Sequence, residues 1–188
     1  MSAIIDNSLA LSFTFKKEQD GITLVNDEEE FEGISLPINF KDTNQVNDFI
    51  KELEKFDMKI YDSELIYDRD GYLSGGKITI GFNLPKKISF LSIIKKTVLE
   101  KRYITLRSRT RYVHGSVSSC IEIGVDGYCS LEKPEKIVID YIIRNSSLGK
   151  YLIEYWKNIK RISEEEARKR LERITPLAPE YIEMNLDI

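Results

Sequence analysis

Histidine is nearly missing from this chain: His114 stands alone, beside two cysteines, one tryptophan and five prolines in 188 residues. A single imidazole excludes phosphoesterase chemistry built on two histidines and removes most transition-metal sites. The cysteines, Cys120 and Cys129, lie nine positions apart without a C-x-x-C pair. They are expected to be reduced thiols that act as small apolar residues. A set made of His114, Cys120, Cys129 and Asp126 lacks paired-ligand spacing, so no metal and no cofactor is expected. No stretch approaches the roughly 18 apolar residues of a membrane helix. Met1 to Leu11 has neither a basic n-region nor a long apolar h-region, and a cytoplasmic protein with no membrane partner is expected.

Catalytic motifs are equally sparse. There is no G-x-S-x-G, and a Cys120–His114 pair has no evident orienting carboxylate. Gly71 to Lys77 fits the first seven positions of a phosphate-binding loop, but the eighth is Ile78 where Ser or Thr must reach Mg²⁺. Lys77 to Phe82 also alternates like a strand, whereas that loop must open a helix. Asp70-Gly71 and Gly75-Gly76 are therefore expected to supply hairpin turns, and His114-Gly115 to form the two-residue tip of another.

What is present is enough for a core: 41% apolar and 31% charged residues, ordinary values for a globular chain. β-rich runs occur at Leu9 to Lys16, Gly21 to Val25, Ile34 to Phe40, Met58 to Asp68, Lys77 to Asn83, Tyr103 to Val113 and Val117 to Val125. A helix capped by Asp42 or Thr43 places Val46, Phe49, Ile50, Leu53 and Phe56 on one stripe. Pro85-Lys86-Lys87-Ile88 followed by Ile93-Ile94 resembles Pro134-Glu135-Lys136-Ile137 followed by Ile142-Ile143, and Ile78 to Phe82 resembles Ile121 to Val125. Each unit then reads as a hairpin followed by a helix. From Ser147 onward the pattern is helical, with Leu148, Tyr151, Leu152, Tyr155, Ile159 and Ile162 on one side. A further helix starts at a Ser163/Glu166 capping box and ends at Pro176.

The expected fold is α+β, an antiparallel-sheet-rich single domain built of ββα-like units with a C-terminal helical segment. Residues 1–146 would form the core domain, and 147–188 helices and a tail packed on it or extending from it.

Charge is distributed unevenly. Pro85 to His114 holds nine Lys or Arg against one acid, a net of +8, while Glu18 to Asp70 holds sixteen acids against five bases, a net of −11. On the strand after Tyr103 the period of two puts Tyr103, Thr105, Arg107, Arg109 and Arg111 on one face. Arginine forks suit phosphate, and a neighbouring tyrosine can stack on a base. Tyr103, Arg107, Arg109, Arg111, Lys95, Lys96, Lys101 and Arg102 are thus the candidate polyanion-binding residues. The competing expectation is a solvated strand face on which Glu122 pairs with one of the arginines. Asp27, Glu28, Glu29, Glu30 and Glu32 are candidates for docking a basic partner, mimicking nucleic-acid phosphates, or self-association.

The leading expectation is a non-enzymatic binding protein or complex subunit holding nucleic acid or another polyanion on the basic strand face. Its alternatives are a protein–protein adaptor or inhibitor acting through the acidic N-terminal half and the C-terminal helices, and a nuclease built from scattered carboxylates.

Overall fold

A computed structural model describes residues 21–27, 30–71, 73–90, 94–113, 116–127 and 131–174; at 24, 26–27, 85–90, 94–95, 111–113, 116–118 and 173–174 it describes the backbone alone. Among the described residues six strands form one antiparallel sheet: β1 (Thr23–Asp27), β2 (Phe31–Leu36), β3 (Lys59–Tyr67), β4 (Leu73–Phe90), β5 (Ile94–Val113) and β6 (Ser116–Asp126), in the order β1-β2-β6-β5-β4-β3. Four described helices accompany it: α1 (Thr43–Lys55), α2 (Lys133–Asn145), α3 (Ser147–Asn158) and α4 (Glu164–Ile174). This is the α+β architecture, with a C-terminal helical segment, that the sequence pattern predicts.

Alternation along the central strands sends Ile78, Ile80, Ile104, Leu106, Ile121 and Ile123 to one face, and all six are fully buried there. Each such side chain contributes roughly 1.5–3 kcal/mol on removal from water. Phe49 and Leu53 of α1, Ile142 of α2, Leu148, Leu152 and Trp156 of α3 and Ala167 of α4 belong to the same core.

The helices begin where their caps dictate. The Asp42 carboxylate accepts from the Gln45 amide at 2.9 Å, which satisfies one orphan donor at the start of α1, and the Gln45 side-chain oxygen accepts from the Lys41 amide just before the cap at 2.7 Å. Ser146 caps α3 through the Leu148 amide at 3.2 Å, and Ser163 caps α4 through the Glu166 amide at 3.2 Å. The i,i+4 pairs Glu164–Arg168, Glu165–Lys169 and Glu166–Arg170 all form along α4. Gly71 takes φ +84° in the β3–β4 turn, where only glycine adopts that conformation without strain. Its amide donates to the Asp68 carbonyl at 3.1 Å. Gly75 and Gly76 lie inside β4, so the segment resembling a phosphate loop opens a strand.

Several elements differ from expectation: Gly75 and Gly76 lie within a strand rather than in a turn, and β4 and β5 run longer than their alternating runs. β2 starts at Phe31 rather than Ile34 and stops at Leu36, because Pro37 brings no amide to a ladder. The helix expected after Pro85 does not form. Residues 85–90 continue β4 and pair with residues 94–99 of β5, Pro85 opposite Leu99 and Phe90 opposite Ile94. The repeat at Pro134 does open a helix, since Pro134 occupies its first turn. A proline at a strand edge and a proline at a helix start read alike in sequence. Val113 pairs with Ser116, which leaves positions 114–115 between β5 and β6; His114 and Gly115 themselves lie outside the described residues. The strand expected at Leu9 to Lys16, Cys129 and the tail from 175 onward also lie outside them.

Candidate functional site

The basic segment of the sequence is a β-ribbon. β3 pairs with β4 only as far as Gly81, and β6 pairs with β5 only from Thr105 onward, whereas β4 and β5 remain paired out to Phe90 and Ile94. From Phe82 and Arg102 outward the hairpin therefore runs past both neighbours as a two-stranded arm. Nine residues of β4 at roughly 3.3 Å each make it nearly 30 Å long. It carries Lys86, Lys87, Lys95, Lys96 and Lys101 against Glu100. Lys96 and Lys101 are exposed, as are Val98 and Leu99.

Strand alternation separates the candidate polyanion residues into groups. Lys101, Tyr103 and Arg109 are exposed. The Lys95 and Arg111 side chains lie outside the described residues; their backbones pair with Ser89 and Ser118.

Arg102 faces the opposite way and meets three carboxylates, Glu135 at 2.7 Å, Glu132 at 3.0 Å and Glu100 at 3.5 Å. The hydrogen bond that Arg102 donates to Glu135 raises the Arg102 pKa, burial opposes it, and the bond to Glu132 adds to the rise. Glu135 is buried on α2, so this cluster ties the root of the arm to the first turn of that helix. Sequence spacing gave no sign of it, because 33 residues separate the partners.

Arg107 shares a face with Tyr103 but is engaged: its Nε lies 2.5 Å from an oxygen of Glu122, which is fully buried. Its guanidinium also sits 3.9 Å from the centre of the Phe31 ring, a cation–π contact. Glu122 thus takes an arginine, the competing expectation for this strand. Beside this pair Thr105 donates to Asp126 at 3.1 Å, and Lys77 lies 3.6 Å from the same carboxylate.

A cavity of about 320 Å³ opens where the arm leaves the sheet, lined by Asp57, Met58, Lys59, Tyr61, Gly81, Phe82, Asn83 and Lys101. Tyr61 packs edge-on to Tyr103, ring centres 5.1 Å apart at 83°. The Lys101 ammonium lies 4.9 Å from the centre of the Tyr61 ring. Interaction with Tyr61, hydrogen bonding first, raises the Lys101 pKa. The Tyr61 ring can lie on the sheet because position 81 is glycine: a Cβ there would collide with the ring. Tyr61 and Gly81 escaped sequence analysis because a β-bulge between Ile60 and Asp62 shifts the alternation.

The acidic cluster runs from Asp27, the last residue of β1, to Glu32 of β2. Glu30 and Glu32 are exposed, Glu28 and Glu29 lie outside the described residues, and so does the Asp27 side chain. Phe31 is opposite Asp126, which puts this cluster at the end of the sheet from which the arm emerges. At roughly 4.8 Å per strand, β2 and β5 lie about 10 Å apart across β6.

Among the described residues, no three or more His, Cys, Asp or Glu are grouped so as to hold a metal ion, and no helix is long and apolar enough to cross a membrane. Cys120 is a free, buried thiol. No protein-family model matches the chain, and neither a curated protein nor a solved structure matches it.

Proposed function

We propose that this chain is a non-enzymatic binding protein or complex subunit that grips nucleic acid, or a polyanion of similar charge spacing, with its β4–β5 arm. One observation carries this: a two-stranded ribbon leaves the sheet at Phe82 and Arg102 with five lysines and one acid on its length. A ribbon of two strands fits the major groove of duplex DNA, and it can equally lie along a single strand. Arg102 helps by anchoring the arm, and the binding cations are Lys86, Lys87, Lys95, Lys96 and Lys101, joined by Arg109 and Arg111 further along β5.

The test changes the five arm lysines to glutamine and follows a labelled oligonucleotide by fluorescence anisotropy across a salt series. Binding should weaken, and the slope of log affinity against log salt should become shallower by roughly 0.7–0.9 for each phosphate that the variant no longer neutralises. Failure of the unmodified protein to bind any polyanion at low salt overturns the proposal. Exposed Val98 and Leu99 on the arm, 38% and 63% accessible, favour a second reading in which the arm docks a protein with an acidic rim. That binding would fall on Leu99→Ser, an uncharged change that barely touches a phosphate-driven contact.

A further inference from the structure

We infer that the cavity at the root of the arm is a base-stacking site for single-stranded nucleic acid, with Tyr61 and Tyr103 as its platform. This rests on the polyanion reading above and narrows it from charge to a substrate class. Tyr61 and Tyr103 are 43% and 39% exposed, with their rings in contact on the sheet. Exposed aromatics beside a basic track are how sequence-tolerant single-strand sites are built, because every base has a π-face.

The position of Lys101 marks the accessible face. One side of the Tyr61 ring lies against Gly81, and Lys101 lies over the ring. Lys101 is exposed on a flexible stem, so an incoming base can displace its ammonium, which then reaches the phosphate of the same nucleotide. Lys59 at the cavity rim and Lys96 along the arm extend the track on either side. Met58 and Phe82 give the cavity an apolar wall, while Asn83 and Asp57 offer an amide and a carboxylate to a base edge. Asp57 holds φ +59° just past α1, where the Met58 amide donates to the Leu53 carbonyl at 3.0 Å and closes the helix. A duplex keeps its bases stacked inside and gives the tyrosines nothing to hold.

The experiment compares three probes of equal length, about 12 nucleotides: oligothymidylate, an abasic strand with the same phosphates, and a duplex. Titrated at low salt, the unmodified protein should bind oligothymidylate more tightly than the other two. Tyr61→Leu and Tyr103→Leu should each lower oligothymidylate affinity by about tenfold with little change for the abasic strand, and Tyr61→Phe should keep it. Gly81→Ala should mimic Tyr61→Leu, since a methyl group there must push the ring away.

Equal binding of the abasic strand and oligothymidylate by the unmodified protein overturns the stacking site and leaves the polyanion reading standing. Tighter binding of the duplex overturns it in favour of a groove-bound arm. Binding of none of the three overturns both. The wild-type comparison needs no variant to fold, so the inference stays open to refutation even if a substitution disturbs the sheet.

Discussion

Near Ile78 and Leu106 the β4–β5 hairpin has β3 on one side, β6 on the other and helices over one face; beyond Gly81 and Tyr103 the same two strands continue with none of these strand neighbours. In the covered half, alternation places fully buried Ile78, Ile80, Ile104 and Leu106 against the core. In the arm, Val98 and Leu99 stay exposed and lysines are frequent. Strand pairing alone therefore does not make a core. It needs the neighbours to which an alternating face can be given up. The arm keeps its ladder while Lys96 and Lys101 stay in water, the condition under which they can exchange counterions for phosphates.

The sharpest way to test that contrast is a matched pair of truncations. Leu106→Ala should cost about 2–5 kcal/mol in chemical denaturation, and Leu99→Ala should stay within about 0.5 kcal/mol. Similar costs at the two positions would mean that the arm is packed against something in solution.

A second effect, of about 3 kcal/mol, is expected from Glu122→Ala, which leaves the Arg107 guanidinium, only 14% exposed, without its carboxylate. Changing Arg107 to Met in the same chain should recover part of that stability. Lys96→Ala, on the arm and exposed, should leave stability nearly unchanged and act on binding instead.

The smallest expected effect is a pH dependence carried by α2, the helix packed on β5 and β6. Asp140 of α2 is almost wholly buried, with one carboxylate oxygen lacking a hydrogen-bond partner. Burial raises its pKa well above the usual 3.8, with Arg144 opposing the rise. The folded state therefore holds a proton that the unfolded chain has already released. The stability contributed by that proton is complete below 3.8 and is lost as pH climbs through the raised folded value. Asp140→Asn should remove this decline, so that denaturation midpoints of variant and unmodified protein diverge from about pH 4 upward in the variant's favour. Parallel curves would count against it.

Much of the framework was readable in advance. The stripe of α1 with its Asp42 cap, the Ser163 capping box, both hairpins and the strand character of Lys77 to Phe82 all follow from local periodicity and turn residues, which act over three or four positions. The site was legible only in its charge. The arm was hidden because Pro85 repeats the signal of Pro134, and the choice between strand and helix depends on whether a partner strand arrives from ten residues downstream. Arg107 and Arg109 look equivalent by alternation, yet Glu122 lies beside the first.

By itself, then, the sequence determined that the chain is an α+β protein with a strongly basic middle, because periodicity, caps and net charge are properties of neighbouring residues. Only the tertiary structure decided which cations are committed to carboxylates and which face water. It also decided that the acidic cluster and the basic arm lie at one end of the sheet, and that Tyr61 lies on Gly81 next to Tyr103. The physical reason is that burial, pairing and ring contact depend on distances across strands, and those are set by which strands meet and in what register, an outcome of packing the whole core.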